Sequence, residues 1–248
     1  MSLSPLALDA KQLWVAYPGH PPVLQGIDLQ IKLGERLGII GPNGAGKTTL
    51  FLTLSGLLPI YSGQVTLLGR PLVPGEFRPD VGLVFQDPND QLFAPTVAED
   101  VAFGLRNLGA SEREIAAAVQ AALHHTGTLH LAECPPHHLS GGEKRMVAIA
   151  GILAMQPQLV LYDEPTANLD LRGRRRLIRF LQQRSQTFLL ASHDLELVLQ
   201  VCEQVILLDQ GRIWAVGSPV EVMSHADLME AHGLEVPYSL RREESGKQ

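Results

Sequence analysis

Gly41-Pro42-Asn43-Gly44-Ala45-Gly46-Lys47-Thr48 has the spacing G-x-x-x-x-G-K-[ST]. Chemistry on a nucleoside triphosphate needs many hydrogen-bond donors close to the phosphates. Gly44 and Gly46 let backbone N–H groups approach without a Cβ in the way, and a helix starting there adds its dipole. Lys47 supplies a mobile positive charge for the β- and γ-phosphates, and Thr48 a hydroxyl for Mg²⁺. Asn43, Ala45 and Thr49 belong to the same nucleotide-binding stretch.

A second piece is Leu159-Val160-Leu161-Tyr162-Asp163-Glu164, a buried apolar strand ending in adjacent carboxylates. Asp163 would hold Mg²⁺, directly or through water. Glu164 would polarise the attacking water as general base, an effect typically worth about 10²–10⁴-fold. Neighbouring strand residues point to opposite faces, so the two need not share a role. The third piece is Leu139-Ser140-Gly141-Gly142-Glu143. Ser140 is a natural N-cap, and the glycines expose backbone N–H groups at a helix start. On its own this is a helix cap. After a phosphate loop it is a second phosphate cradle, which one ATP does not obviously need from one subunit.

These pieces need a scaffold. Leu6–Val15 and Val23–Ile31 read as strands joined by the turn Pro18-Gly19-His20-Pro21-Pro22, and Arg36–Ile40 as a short strand leading into the glycine loop. Thr48–Ser55 is the helix after it, ended by Gly56. Val81–Phe85, Leu159–Tyr162, Thr187–Ala191 and Val205–Leu208 are apolar runs without alternation, which suits a sheet buried on both faces. Helical patterns alternate with them, which argues α/β. Val97–Leu105, Ser111–His124 and Gly141–Ala154 read as helices, the last with Met146, Ile149, Ala150 and Leu153 at i, i+3, i+4 and i+7. The expected organisation is therefore a discontinuous nucleotide-binding α/β core over 1–85 and 157–225, with an antiparallel β subdomain. A helical subdomain is inserted at 86–156, and a tail follows at 226–248, charged over Arg241–Gln248.

Bulk properties narrow the classes. At 45% apolar, 248 residues can bury a sizeable core. Twenty Lys plus Arg against 26 Asp plus Glu gives a net charge of −6, a poor match to general nucleic-acid binding. Two cysteines, Cys134 and Cys202, are too few for a disulfide scaffold and imply a reducing compartment. No basic segment followed by an apolar one is expected to act as a signal peptide. The uncharged stretch Thr48 to Gly69 is interrupted by Gly56, Pro59 and Gly63, and reads as helix, turn and strand rather than a span. Work at a membrane would need a membrane partner.

In chain order, with the glycine loop first, Leu139–Glu143 next and the carboxylate-ended strand last, the three segments resemble the ATP-binding-cassette (ABC) ATPases, over about residues 6–225. The resemblance implies the P-loop fold and ATP hydrolysis with Mg²⁺. It also implies head-to-tail pairing, in which the glycine loop of one subunit and the signature segment Ser140–Glu143 of the other sandwich each ATP. Gln86 stands where the family places its Q-loop glutamine near Mg²⁺ and the attacking water. His193 matches the switch histidine that contacts the γ-phosphate. Asp170, in Ala167-Asn168-Leu169-Asp170, matches the D-loop that acts across the dimer. Tyr17 lies where the family has an aromatic that stacks on adenine. Thr48, Glu143 and Tyr162 replace commoner family residues without removing a catalytic group.

The segments Gln86-Asp87-Pro88-Asn89-Asp90-Gln91-Leu92-Phe93, Pro95-Thr96-Val97 and Glu99–Gly104 are similar to those of energy-coupling-factor uptake ATPases, with the cobalt and nickel branch the nearest match. Ala231–Pro237 adds to this. The implied partners are a second ATPase subunit (in a homodimer or a heterodimer), a transmembrane coupling protein docked beside the Q-loop, and a substrate-binding membrane subunit. No nucleic acid is expected. The implied location is the cytoplasmic face of the cell membrane. Import of a vitamin such as biotin, and a soluble ABC ATPase acting on nucleic acid or ribosomes, are the alternatives. His124, His125, His130, Cys134, His137 and His138 are read as a polar, solvated loop. Arg172, Arg174, Arg175, Arg176 and Arg179 are read as a solvated helical face.

Overall fold

The computed structural model describes residues 5–241. In chain order it contains β1 (Leu6–Ala16), β2 (Pro22–Lys32), β3 (Arg36–Ile40), α1 (Lys47–Leu54), β4 (Ser62–Leu67), β5 (Arg70–Pro71) and β6 (Val81–Val84). Three helices follow, α2 (Val97–Asn107), α3 (Glu112–His125) and α4 (Gly141–Ala154). The chain then returns through β7 (Leu159–Asp163), α5 (Leu171–Gln182), β8 (Thr187–Ala191), α6 (Leu195–Val201), β9 (Gln204–Asp209) and β10 (Arg212–Gly217) to α7 (Pro219–Met223) and α8 (Ala226–Ala231).

The strands form two sheets. One is antiparallel in the order β2-β1-β4-β5, and the other has the order β10-β9-β3-β8-β7-β6. In the second, β3 pairs in parallel with β8 and β9, and β7 with β6 and β8, while β10 closes the edge antiparallel to β9. Every residue of β6, β7 and β8 is buried, which is why these runs lack alternation. Leu50, Phe51 and Leu54 of α1 pack between the two sheets. Leu177, Ile178 and Leu181 of α5 and Leu197, Val198 and Val201 of α6 cover the opposite face of the parallel sheet. The helices α2, α3 and α4 enclose a third core around Val101, Leu123, Val147 and Ala150. The expected α/β core, antiparallel sheet and inserted helices are all present.

Two expectations require correction. The described part of the segment set apart above as a tail, residues 226–241, continues the core. Met229 is fully buried, Leu234, Val236 and Leu240 pack on the α5–α6 face, and His232 Nδ1 lies 2.8 Å from Asp209 Oδ2. Met229 sits in a helix of 6 residues and Leu234 and Val236 in irregular chain after it, too short a run to show a period. The charged end Arg241–Gln248 lies, beyond Arg241, outside the described residues. The α5 arginines are also not uniformly solvated. Arg174 pairs with Asp194 at 2.5 Å, and Arg176 donates to the carbonyls of Thr126 and Gly127.

Candidate active site

β3 runs directly into the glycine loop, and α1 begins at Lys47. Two of the loop's glycines have no alternative. A Cβ on Gly41 would lie 1.9 Å from the Leu208 carbonyl oxygen. One on Gly46, whose φ is +106°, would lie 2.7 Å from Leu24 Cδ2. Lys47 is buried, and its Nζ donates to the carbonyls of Gly41 at 2.7 Å and Pro42 at 3.0 Å. Burial holds its pKa below the usual lysine value, against the opposing pull of Glu164 and Asp163. The cation is thus folded back over the loop, ready to exchange carbonyl oxygens for phosphate oxygens.

At the end of β7, Asp163 is buried and its Oδ1 has no hydrogen-bond partner. Burial raises its pKa, Glu164 adds to this, and the Thr48 hydroxyl, Lys47 and Arg145 oppose it. A buried carboxylate oxygen without a donor is costly unless a cation meets it. Asp163 and Thr48 together offer the hard oxygen ligands that Mg²⁺ takes, so the residues present fit that ion.

Glu164 follows with φ +43°, a left-handed conformation rare outside glycine, and its N–H donates to Ala191 O at 2.9 Å. The turn points the carboxylate away from Asp163 and toward the end of β8. There Glu164 Oε2 accepts the His193 backbone N–H at 3.1 Å and lies 2.7 Å from His193 Nδ1. The Glu164 side chain is 9% exposed and that of His193 66%, so a sheltered carboxylate is held by a solvent-facing imidazole.

A cavity of about 630 Å³ opens between these elements. Asn43 to Thr49 form one wall, with Gln86, Glu164 and His193 opposite. Tyr17 is not in the wall, but its hydroxyl lies 3.4 Å from Thr49 Oγ1, which is. Asp170 caps α5 by accepting the Gly173 N–H at 2.7 Å. Ser140 caps α4, its hydroxyl accepting Glu143 N–H at 3.4 Å while Glu143 Oε2 accepts Ser140 N–H at 2.9 Å. Hydrogen bonds from the Ser140 hydroxyl, then its amide, hold Glu143 below the usual carboxylate range. None of Ser140, Gly141, Gly142 and Glu143 borders the cavity. The structure therefore brings most of the expected site together and leaves the second cradle apart from it.

Sequence reading missed Arg145. It is 1% exposed, and its Nη1 and Nη2 donate to the carbonyls of Phe85 and Gln86 at 2.5 Å each, while Nε has no partner. Burial lowers its pKa, with Asp87 and Asp163 opposing. It fastens the helix that starts at the second cradle to the segment carrying Gln86. The available signal was that Arg145, unlike Lys144 before it, adjoins the apolar run Met146–Ala150. The histidines at 124–138 lie on the end of α3 and the turns after it, with His137 and His138 edge to face at 4.3 Å. Among the described residues no three His, Cys, Asp or Glu side chains are grouped to hold a metal.

A parallel sheet with a glycine loop, a carboxylate pair and a polar wall at its strand ends defines a nucleoside triphosphatase. The chain belongs to the ABC transporter family, whose profile matches residues 24–167. It is an ATPase using ATP and Mg²⁺. It is 54% identical over 237 residues to a putative ABC transporter ATP-binding protein of Synechocystis, covering 96% of this chain and 84% of that one. It is 43% identical over 238 residues to the energy-coupling factor transporter ATP-binding protein of Methanocaldococcus jannaschii, covering 93% and 85%. Among solved structures, CbiO1 of Clostridium perfringens, part of the ABC transporter complex CbiONQ, superposes with a TM-score of 0.82 at 36% identity, covering 96% and 98%.

Proposed function

We propose that this chain is the ATP-hydrolysing subunit of an energy-coupling-factor importer, with cobalt or nickel ions as cargo. ATP closes a head-to-tail dimer of two such subunits, and hydrolysis with product release reopens it. The observation that carries the dimer is the separation of the two cradles. Gly141 and Gly142 have ordinary backbone angles and room for a Cβ, with nearest contacts of 3.6 Å to Asn168 O and to Gly173 Cα. Nothing inside the chain needs glycine there, whereas a phosphate arriving on a second subunit does.

Within each site Lys47 and the loop amides bind and orient the triphosphate. Glu164 takes a proton from the attacking water, and His193 fixes the Glu164 carboxylate. Gln86 orients the water, and Tyr17 stacks on the adenine. Mg²⁺ on Thr48 and Asp163 supplies charge neutralisation for the phosphates. The cargo assignment rests on the likeness to CbiO1 and to the energy-coupling-factor relatives.

Among the described residues no helix is long and apolar enough to cross a membrane; in this reading the work passes to a membrane partner at the cytoplasmic face. An apolar groove of about 180 Å³ lies beside the Gln86 segment, where Phe77, Phe93 and Phe103 are 62%, 64% and 46% exposed. Its aromatic lining suits helices of a transmembrane coupling protein.

The test is recovery of the tagged chain from detergent-solubilised native membranes, with mass spectrometry of what accompanies it. A multispanning coupling protein and a small membrane subunit are expected, and the small subunit would identify the cargo. Ribosomes or DNA-bound factors without any membrane protein would overturn the transporter reading. Gly142→Asp tests the dimer separately: it should abolish ATP-dependent dimerisation, and persistence of the dimer would refute the sandwich.

A further inference from the structure

Five of the 20 Lys and Arg residues of this acidic chain stand on the single helix α5. Arg172, Arg175, Arg176 and Arg179 stand at i, i+3, i+4 and i+7 of α5, a single helical stripe. The stripe and the α3 end residues His124 and His125 line a groove of about 740 Å³, with Met146 and Phe180 among its apolar lining. The groove shares no residue with the ATP cavity.

The arginines are not equivalent. Arg176 Nη2 donates to Thr126 O at 2.7 Å and Gly127 O at 2.6 Å, satisfying carbonyls just past the C-terminus of α3. Arg176 thus ties α3 to α5 and has a structural reason to be there. Arg172, Arg175 and Arg179 are exposed, and among the described residues none has a carboxylate within 4.0 Å. Like charges at helical spacing repel each other and weaken the helix. Arg174, two residues from Arg172 on another face of α5, is by contrast paired with Asp194.

Guanidinium groups carry a permanent charge and a planar fork of donors that matches phosphate oxygens. A concave site of this volume is of ligand size. We propose that the α3–α5 groove is a second anion site, which binds a soluble oligophosphate, a small molecule bearing two or more linked phosphates, through Arg172, Arg175 and Arg179. Occupancy would neutralise the stripe and brace the end of α3 against α5. The first turn of α5 in turn touches the second cradle, where a Gly142 Cβ would meet Gly173 Cα. This proposal does not depend on the cargo or on the membrane partner.

The experiment is calorimetric titration of inorganic tripolyphosphate into the full chain saturated with MgADP, so that the phosphate loop is already filled. One saturable equivalent is expected, weakening as salt is raised. Arg172→Ala/Arg175→Ala/Arg179→Ala should weaken it at least tenfold while leaving MgADP affinity unchanged, and the exposed single change Arg175→Glu should weaken it severalfold. Absence of an isotherm, or equal affinity in the variants, would overturn the assignment. So would arginine-dependent binding to phosphatidylserine vesicles without any tripolyphosphate isotherm, which would make the stripe a membrane-facing surface.

Discussion

The two glycine-bearing turns of this molecule are built on opposite terms. In the phosphate loop Gly41 and Gly46 are demanded by the chain's own packing, since Gly41 faces the Leu208 carbonyl and Gly46 the Leu24 side chain. The loop's cation is satisfied internally by the Gly41 and Pro42 carbonyls. At Ser140–Glu143 the helix cap is complete without glycine, and each glycine has room around it. Glycine at a helix start with no steric reason sacrifices some helix stability against alanine, by less than the roughly 1 kcal/mol it costs in a helix interior. The first turn can be understood from one chain, and the second is accounted for by the proposed approach of a nucleotide held on a second subunit.

The largest effect should come from Glu164→Gln. With the geometry kept and the proposed base removed, hydrolysis should fall by about 10²–10⁴-fold while ATP affinity stays within about twofold. Because ATP would persist, the closed dimer should accumulate, and gel filtration with ATP would then show the second cradle engaged. Wild-type turnover by this variant would remove Glu164 from the base role.

Alanine at the two turns should separate them directly. Gly41→Ala must move the backbone at the end of β9, at a cost of about 1–3 kcal/mol by overpacking, readable as a lower urea midpoint. Gly142→Ala should leave that midpoint unchanged or raise it slightly, a gain in unfolding free energy of under about 1 kcal/mol. Its ATP turnover should nevertheless fall at least tenfold, at unchanged affinity for ATP in the monomer. Equal loss of stability in both variants would erase the contrast between the turns.

How far the sequence could be read follows the same division. The strand-loop-helix around Lys47 was legible because local spacing and local geometry coincide there. The uninterrupted apolar runs of β6, β7 and β8 likewise announced a doubly covered sheet. Arg145 was not legible, because the carbonyls it holds lie about sixty residues earlier in the chain. Met229 and Leu234 were lost in a segment too short to show a period. Arg174 and Arg176 looked alike in sequence to their neighbours, and only their distant partners Asp194, Thr126 and Gly127 distinguish them.

The smallest effect concerns a contact remote from both turns, and it serves as their control. Arg78 is buried and donates to both carboxylate oxygens of Asp80 at 2.8 Å and to Leu67 O at 3.2 Å, while the Asp80 carbonyl accepts the Gln158 and Leu159 amides. The clamp joins the end of β4 to the start of β7, that is, one sheet to the other. The Arg78 hydrogen bonds, with help from Arg70 and against burial, lower the Asp80 pKa from 3.8 to about 2. A carboxylate whose folded pKa is depressed stabilises the fold fully above its unfolded pKa, and that contribution is lost as pH falls through the folded value. Asp80→Asn should therefore lower the urea midpoint most above about pH 4, and the gap to wild type should close toward about pH 2. MgADP affinity at neutral pH should be unchanged, because neither turn touches this clamp. A gap that is constant from pH 6 to pH 2 would show that the clamp acts through packing rather than charge.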